Sequence, residues 1–458
     1  MIFWIFSISL SLVTSSFLLK KTYLKETSIG WLLAIWAVPF AGSIIYLTMV
    51  IRRKSERHQH NEAPHDHVHK NETLVESAQI LESIGITNGF LAYDKLEEHT
   101  VLRDDEFIPA LLKQVEQAKH SILICTYILS GDAKEALITR LYEANERGVE
   151  IYLLVDRIGS GLLLSSKNRK EYLGLPFKTV IFRESLLHSL LYIEKRLHSK
   201  LAIFDETTGI IGSHNIRDET ISTSKKFARN ISVLVKGNVV EQMKYAFIDL
   251  YEDATGERFE IQNESDEHHG HEENEVFGKN ACPARITFSD PIAQDFQYND
   301  YLNSLFFSAQ KRMYIWMPYM IPSDILRTSI INAHKTGVDV KVLIPEISDS
   351  KLVDNAHQLI LNELTDNHVP CAVSTGEFDH TKIIIIDDVA VIGSTNLDLR
   401  SLFRNYEANI EVNDEKFSDE ISELFLETYN QAKLVECTTP KTGRTIINQL
   451  TSLIASLY

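Results

Sequence analysis

The chain has few cysteines and no pattern among them. Its four, Cys125, Cys282, Cys371 and Cys437, are widely scattered, with no CxxC pair. That argues against a disulfide framework or a cysteine zinc site and leaves free thiols as the expectation. A basic stripe is missing too. The formal charge is −17, unlike a protein that neutralises many nucleic-acid phosphates, so no nucleic-acid partner is expected. A local cationic pocket can still sit in such an acidic body.

Charge is absent altogether from two stretches near the N-terminus. Neither residues 1–19 nor residues 28–51 carry a charged side chain, and a membrane-spanning helix needs about 20 apolar residues. For the first stretch a signal peptide is the alternative. It would place cations before the apolar run and a small-residue cleavage site after it. Here Lys20 and Lys21 follow the run, and no Ala-x-Ala is present. The expectation is a two-helix transmembrane hairpin over residues 1–55, seated in a lipid bilayer. Arg52, Arg53, Lys54 and Arg57 follow the second span, against Lys20, Lys21 and Lys25 in the connection. That bias places the large C-terminal part in the cytoplasm.

What the remaining sequence contains is a repeat. His198-Ser199-Lys200 is followed by Asp205 and Gly212-Ser213-His214-Asn215; His380-Thr381-Lys382 is followed by Asp387 and Gly393-Ser394-Thr395-Asn396. A strand alternates its side chains, so a His and a Lys two residues apart face the same way. Gly-Ser-x-Asn follows a hairpin, which can return Ser213 and Asn215, or Ser394 and Asn396, to the same region. Gly there allows close backbone approach. Each copy supplies one imidazole, and two copies supply a nucleophile and an acid for a phosphodiester. Lys, Ser and Asn would then neutralise the non-bridging oxygens. Asp205 and Asp387 belong to the same motif and join the candidate catalytic set. After an apolar strand, however, each reads more simply as a turn cap or a salt-bridge partner.

The halves around these motifs match. In the first, 121–129 reads as a buried strand, Asp132 caps a helix to about Arg147, Gly148 ends it, and 149–155 is another strand. In the second, 313–320, a helix from Ser323 or Asp324 to Lys335, Gly337 and 338–344 repeat the order. Tyr127 and Tyr319 occupy corresponding places. Fully apolar strands joined through helices imply a parallel or mixed sheet covered on both faces. His-x-Lys is expected on further strands over 197–204 and 380–386. Two polar, His-rich tracts, 56–80 and 263–275, read as solvated linkers. They leave a first domain at 81–262 and a second at 276–458, the latter ending in an amphipathic stretch over 446–458.

On these motifs the chain resembles the phospholipase D superfamily, within it the bacterial cardiolipin synthases. Further support comes from Asp156-Arg157-Ile158-Gly159-Ser160, Met317-Pro318-Tyr319 with Ile321-Pro322-Ser323-Asp324, and Leu397-Asp398-Leu399-Arg400-Ser401 followed by Asn405-Tyr406-Glu407. The resemblance implies two α/β/α sandwich domains related by a pseudo-twofold axis, one shared site, and no cofactor or metal. It implies phosphatidyl transfer between two phosphatidylglycerol molecules through His198, with His380 as acid and then base. The alternative is a phospholipase D that hydrolyses phospholipids or uses another alcohol. In the family a downstream carboxylate fixes each imidazole. By chain position Glu407 would serve His380, while Asn230 stands where an Asp is usual beside His198.

Overall fold

The computed structural model describes residues 7–15, 35–36, 40, 43, 76–162, 165–183, 195–218, 228–259, 282–291 and 297–436. It divides into two compact units, Met1–Asp66 and His67–Tyr458. In the first, residues 7–15 are helical. Ser11 Oγ lies 3.3 Å from Ser43 Oγ, and Trp36 Nε1 donates to Ser15 Oγ at 3.2 Å, so the two segments run close together. Among the described residues no helix is long and apolar enough to cross a membrane. Most of the expected hairpin, the linker over 263–275 and the 446–458 stretch lie outside the described residues.

The second unit opens with α1 (Glu76–Thr87) and β1 (Asp94–Leu96). A first lobe follows: β2 (Glu98–Arg103), α2 (Phe107–Gln117), β3 (Ser121–Thr126), α3 (Gly131–Glu146), β4 (Glu150–Asp156), α4 (Ser166–Leu173) and β5 (Lys178–Phe182). It continues through β6 (Leu201–Phe204), β7 (Thr208–Gly212), β8 (Ala228–Arg229), β9 (Ile231–Lys236) and α5 (Val239–Thr255). The second lobe comprises β10 (Cys282–Ser289), α6 (Gln297–Phe307), β11 (Arg312–Trp316), α7 (Asp324–Lys335), β12 (Asp339–Pro345), α8 (Lys351–Asp366) and β13 (Cys371–Ser374). After it come β14 (Phe378–Asp379), β15 (Ile383–Ile386), β16 (Val389–Gly393), α9 (Leu399–Phe403), β17 (Glu407–Asn413), α10 (Glu415–Gln431) and β18 (Lys433–Leu434).

The sheets share one strand order. The first runs β2-β9-β7-β6-β3-β4-β5; the second runs β10-β17-β16-β15-β11-β12-β13 with β1 and β18 added at its edges. Parallel pairs β3–β4–β5 and β11–β12–β13 adjoin antiparallel hairpins β6–β7 and β15–β16, so each sheet is mixed. Side-chain alternation sets the layers. On β15, Ile383 and Ile385 enter a central core while Ile384 and Ile386 face the second lobe's outer helices. On β3, Leu123 and Cys125 enter that same central core, and Ile122 and Ile124 pack outward under α2 and α3. Helices α5 and α10 complete the central core, which both lobes share.

Two expectations are adjusted. The segment expected to open the first domain at 81 instead joins the second lobe: β1 pairs with β10, and Leu81 and Phe90 pack in the second lobe's outer core. Arg285 and Glu411, both fully buried, pin it there. Glu411 accepts hydrogen bonds from Tyr93 and Tyr301, and Arg285 lies over both rings.

Asp205 and Asp387 are the second adjustment. Both sit in hairpin turns at positive φ, 49° and 53°, a conformation Asp tolerates. The Asp205 carboxylate accepts the N–H groups of Lys119, His120 and Ser121 at 2.9, 2.7 and 3.0 Å. Asp387 accepts those of Gln310, Lys311 and Arg312 at 2.8, 2.6 and 3.0 Å. Each clamps the start of the neighbouring strand, at the far end of β6 or β15 from its motif's His. They are structural and stand apart from the candidate catalytic groups. Asp205→Ala or Asp387→Ala is therefore expected to lower stability by at least about 2 kcal/mol in urea unfolding, while the folded fraction keeps its specific activity.

Candidate active site

His198 and His380 are delivered by short backbone bridges between the lobes. Leu197 pairs in parallel with Tyr406, the His198 N–H donates to Tyr406 O at 3.0 Å, and Ser199 Oγ donates to the same oxygen at 2.9 Å. In the counterpart, β14 pairs in parallel with β8 and the His380 N–H donates to Arg229 O at 2.9 Å. This explains why the strands expected to begin at Leu197 and His380 begin only at Leu201 and Ile383. The motif residues leave their own sheet to bond the other lobe. Gly212 and Gly393 make the adjacent strands fit. A Cβ on Gly393 would lie 2.6 Å from Ala408 O, and one on Gly212 2.6 Å from Ile231 O.

The same crossing decides what holds each imidazole. His198 Nδ1 lies 2.8 and 2.9 Å from the two oxygens of Glu407. Ser394 Oγ donates to Glu407 Oε2 at 2.5 Å, and Asn405 Nδ2 donates to Oε1 at 3.2 Å. His380 Nδ1 lies 3.0 Å from Asn230 Oδ1, which also accepts from Ser213 Oγ at 3.1 Å. The pairing expected from chain position is thus exchanged. Glu407 serves His198 and Asn230 serves His380, because each lobe supports the other lobe's ring. When ionised, Glu407 only accepts, and His198 then donates from Nδ1 and carries its lone pair on Nε2.

The hydroxyls of Ser213 and Ser394, expected on substrate oxygens, are instead engaged in these chains. Asn215 Oδ1 accepts from the Ile128 N–H at 3.2 Å, and Asn396 Nδ2 donates to Ser401 Oγ at 3.2 Å. The lysines do share a face with their histidines. Lys200 Nζ donates to His198 O at 2.6 Å, while Lys382 Nζ lies 3.0 Å from both His380 Nε2 and His380 O. Tyr127 stands edge-on to His198 at 5.1 Å and Tyr319 edge-on to His380 at 6.4 Å.

The pocket is buried and over-supplied with cations. Lys200 is 4% exposed and Lys382 1%. Burial pulls Lys200 down to about 8 and pushes Glu407 up to about 7. Burial, then the nearby Lys200, holds Lys382 well below the usual ammonium range. Both imidazoles are held low by burial and then by the two lysines. Groups held short of full charge by burial and by like charges are suited to receiving an anion. Asp156, quoted in the sequence only as part of a resembling stretch, also matters. It accepts from Ile158 N and Gly159 N at 2.8 and 2.9 Å and from Leu197 N at 3.2 Å, joining the loop at its own strand end to the His198 segment. These are contacts to backbone, which no side-chain spacing announces.

Two lobes of one topology, giving a His and a Lys each to a single buried cationic pocket, define an enzyme of the phospholipase D class. The chain belongs to the family described as cardiolipin synthase, PLD-like domain, whose profile matches residues 111–250 and 302–429. It is similar to the minor cardiolipin synthase ClsB of Bacillus subtilis, 26% identical over 334 residues that span 72% of this chain and 80% of that protein. Cardiolipin synthase A of Wigglesworthia glossinidia brevipalpis is 26% identical over 433 residues, 89% of this chain and 86% of its own. Among solved structures, phosphatidylserine synthase from Haemophilus influenzae shares the fold, with a TM-score of 0.63, 14% identity, and 84% of this chain and 100% of that chain covered.

Glu407→Gln is expected to fold normally, since Asn230 shows that an amide fits the corresponding place. Its kcat should fall about 10²–10⁴-fold with KM little changed, read in steady-state kinetics. Ser394→Ala, which removes one donor to Glu407, should cost far less.

Proposed function

We propose that this protein makes cardiolipin, moving a phosphatidyl group from one phosphatidylglycerol to the headgroup glycerol of a second. The observation that carries the reading is the pairing of His198 with buried Glu407. His198 Nε2 attacks phosphorus and the bond from phosphorus to the glycerol oxygen breaks. His380 gives its proton to that oxygen, and glycerol leaves. The phosphatidyl-histidine has a cationic ring, and Glu407 at Nδ1 supplies the compensating charge. The headgroup hydroxyl of the second lipid then attacks phosphorus, His380 takes its proton, and the bond to His198 Nε2 breaks.

Lys200 and Lys382, with the amide groups of Asn215 and Asn396, supply donors for the non-bridging oxygens. One diester replaces another, so the step is nearly isoenergetic, and its direction depends on a lipid hydroxyl outcompeting water. Tyr127 and Tyr319, edge-on to the two imidazoles, narrow the approach and favour exclusion of water. In this reading the lobes are related by a pseudo-twofold axis. The uncharged stretches within residues 1–55 form a hairpin in the membrane, with the catalytic lobes on its cytoplasmic side.

The test supplies purified protein with phosphatidylglycerol in detergent and separates the lipid products. Cardiolipin with an equal amount of glycerol is the expected result, abolished in His198→Ala and in His380→Ala. Phosphatidic acid as the main product would replace the transferase with a hydrolase. Undiminished turnover in both histidine variants would remove the site assignment.

A further inference from the structure

Asn230 breaks the symmetry of an otherwise matched pair of chains, Ser394–Glu407–His198 and Ser213–Asn230–His380. Its orientation is determined by its surroundings. Asn230 Nδ2 donates to Ala228 O at 3.0 Å, a carbonyl that can only accept. Oδ1 therefore faces Ser213 Oγ and His380 Nδ1, and accepts from both. It follows that His380 carries its hydrogen on Nδ1 and its lone pair on Nε2, where Lys382 Nζ donates at 3.0 Å. Both ring nitrogens are occupied, and neither faces a carboxylate.

The rest of the surroundings point the same way. After burial, the neighbours that act most strongly on His380 are Lys382, Lys200, His198 and Arg217, all cationic or able to become so. Nearby acids are turned elsewhere. Asp379 accepts from Trp316 Nε1 at 2.8 Å, Asp398 caps α9 through the Ser401 N–H at 2.8 Å, and Glu407 holds His198. The remaining faces are covered by the rings of Phe378 and Tyr319, at 5.7 and 6.4 Å. A proton added to His380 would join the lysines with no carboxylate bonded to the ring. A phosphodiester between the lobes reverses that sign. It also gives the Lys382 ammonium an oxygen to bond, which releases Nε2.

We infer that Asn230 is a positioning residue that keeps His380 neutral in the empty site, so that the ring takes up its proton only when a phosphodiester anion is bound. An Asp there would leave the ring charged in the resting enzyme and bonded to a permanent partner. With Asn, the group that protonates the leaving glycerol is charged by the substrate itself, the proton coming from solvent. This deepens the proposed function, since it rests on His380 acting there as the acid.

The test is histidine ring NMR on the full chain in detergent at pH 7, with His380→Gln identifying the resonance. Dimethyl phosphate, a diester monoanion with no proton to lose, serves as the probe. Wild type is expected to show a neutral Nδ1–H ring alone and an imidazolium with saturating dimethyl phosphate. Asn230→Asp should show an imidazolium in both conditions. Its folded-state value for His380 is raised, so the protonated acid persists to higher pH, and the alkaline limb of its pH–rate profile should move up by about one unit.

Should Asn230→Asp fail to fold, Asn230→Ala gives the second reading: His380 Nδ1–H loses its acceptor, its proton resonance moves upfield, and kcat falls while KM holds. An imidazolium in empty wild type would overturn the inference, as would a folded Asn230→Asp variant with unchanged signal and profile. Wild type that behaves as expected by NMR yet forms no cardiolipin would remove the proposed function and leave the role of Asn230 standing.

Discussion

Glu407 and Asn230 each hold an imidazole that belongs to the other half of the chain, and almost everything around the pocket is arranged to make that exchange possible. The backbone bridges Leu197–Tyr406 and Asp379–Arg229 bring the rings across. Gly212 and Gly393 let the strands that follow lie close enough for the serines to reach the supporting side chains. The shared central core, built from both sheets with α5 and α10, keeps the two lobes in one register. A displacement between lobes would break both hydrogen bonds at the rings at once. The site is therefore only as well ordered as the interface, and packing far from the pocket contributes directly to its geometry.

Electrostatics explains how an acidic protein hosts such a pocket. The whole chain carries a net charge of −17, while two lysines and two histidines are enclosed with Glu407 as the acid bonded to the His198 ring. Burial makes each of those charges costly, and the cost is relieved by an anion more than by water. In the proposed function that relief is what favours a lipid phosphate between the lobes. The asymmetry between Glu407 and Asn230 divides the work. In the proposed mechanism one ring is backed by a carboxylate that suits a covalent intermediate, and the other by a neutral amide that suits a proton passing in and out.

Much of this was legible before any coordinates. The repeated His-x-Lys and Gly-Ser-x-Asn segments and the matched strand–helix–strand units follow from spacing and periodicity. The helix Asp324–Lys335 starts at its expected cap, Ser323, whereas Gly131–Glu146 starts after Ser130 and takes Asp132, the expected cap, into its first turn. The exchange of partners was not legible. Chain order places Glu407 beside His380 and Asn230 beside His198, and only the crossing of the lobes reverses that. The serines misled for a related reason, since a hydroxyl near a motif says nothing about which acceptor it meets. Asp205 and Asp387 joined the candidate catalytic set only by belonging to the motif; their carboxylates meet strand-start N–H groups instead, the turn role that an Asp ending an apolar strand also suggests.

The attachment of α1 and β1 to the second lobe has a consequence for how the protein is made. Leu96 finds its place opposite Cys282, and the cavity that receives Arg285 beside Tyr93 is complete only when Tyr301 and Glu411 are present. During synthesis the segment emerges before its sheet exists, and the whole first lobe must pass before it can dock. Contacts of such long reach slow folding. They also make the last-translated half of the chain responsible for securing one of the earliest, so a ribosome that stops early leaves α1 and β1 with nowhere to go.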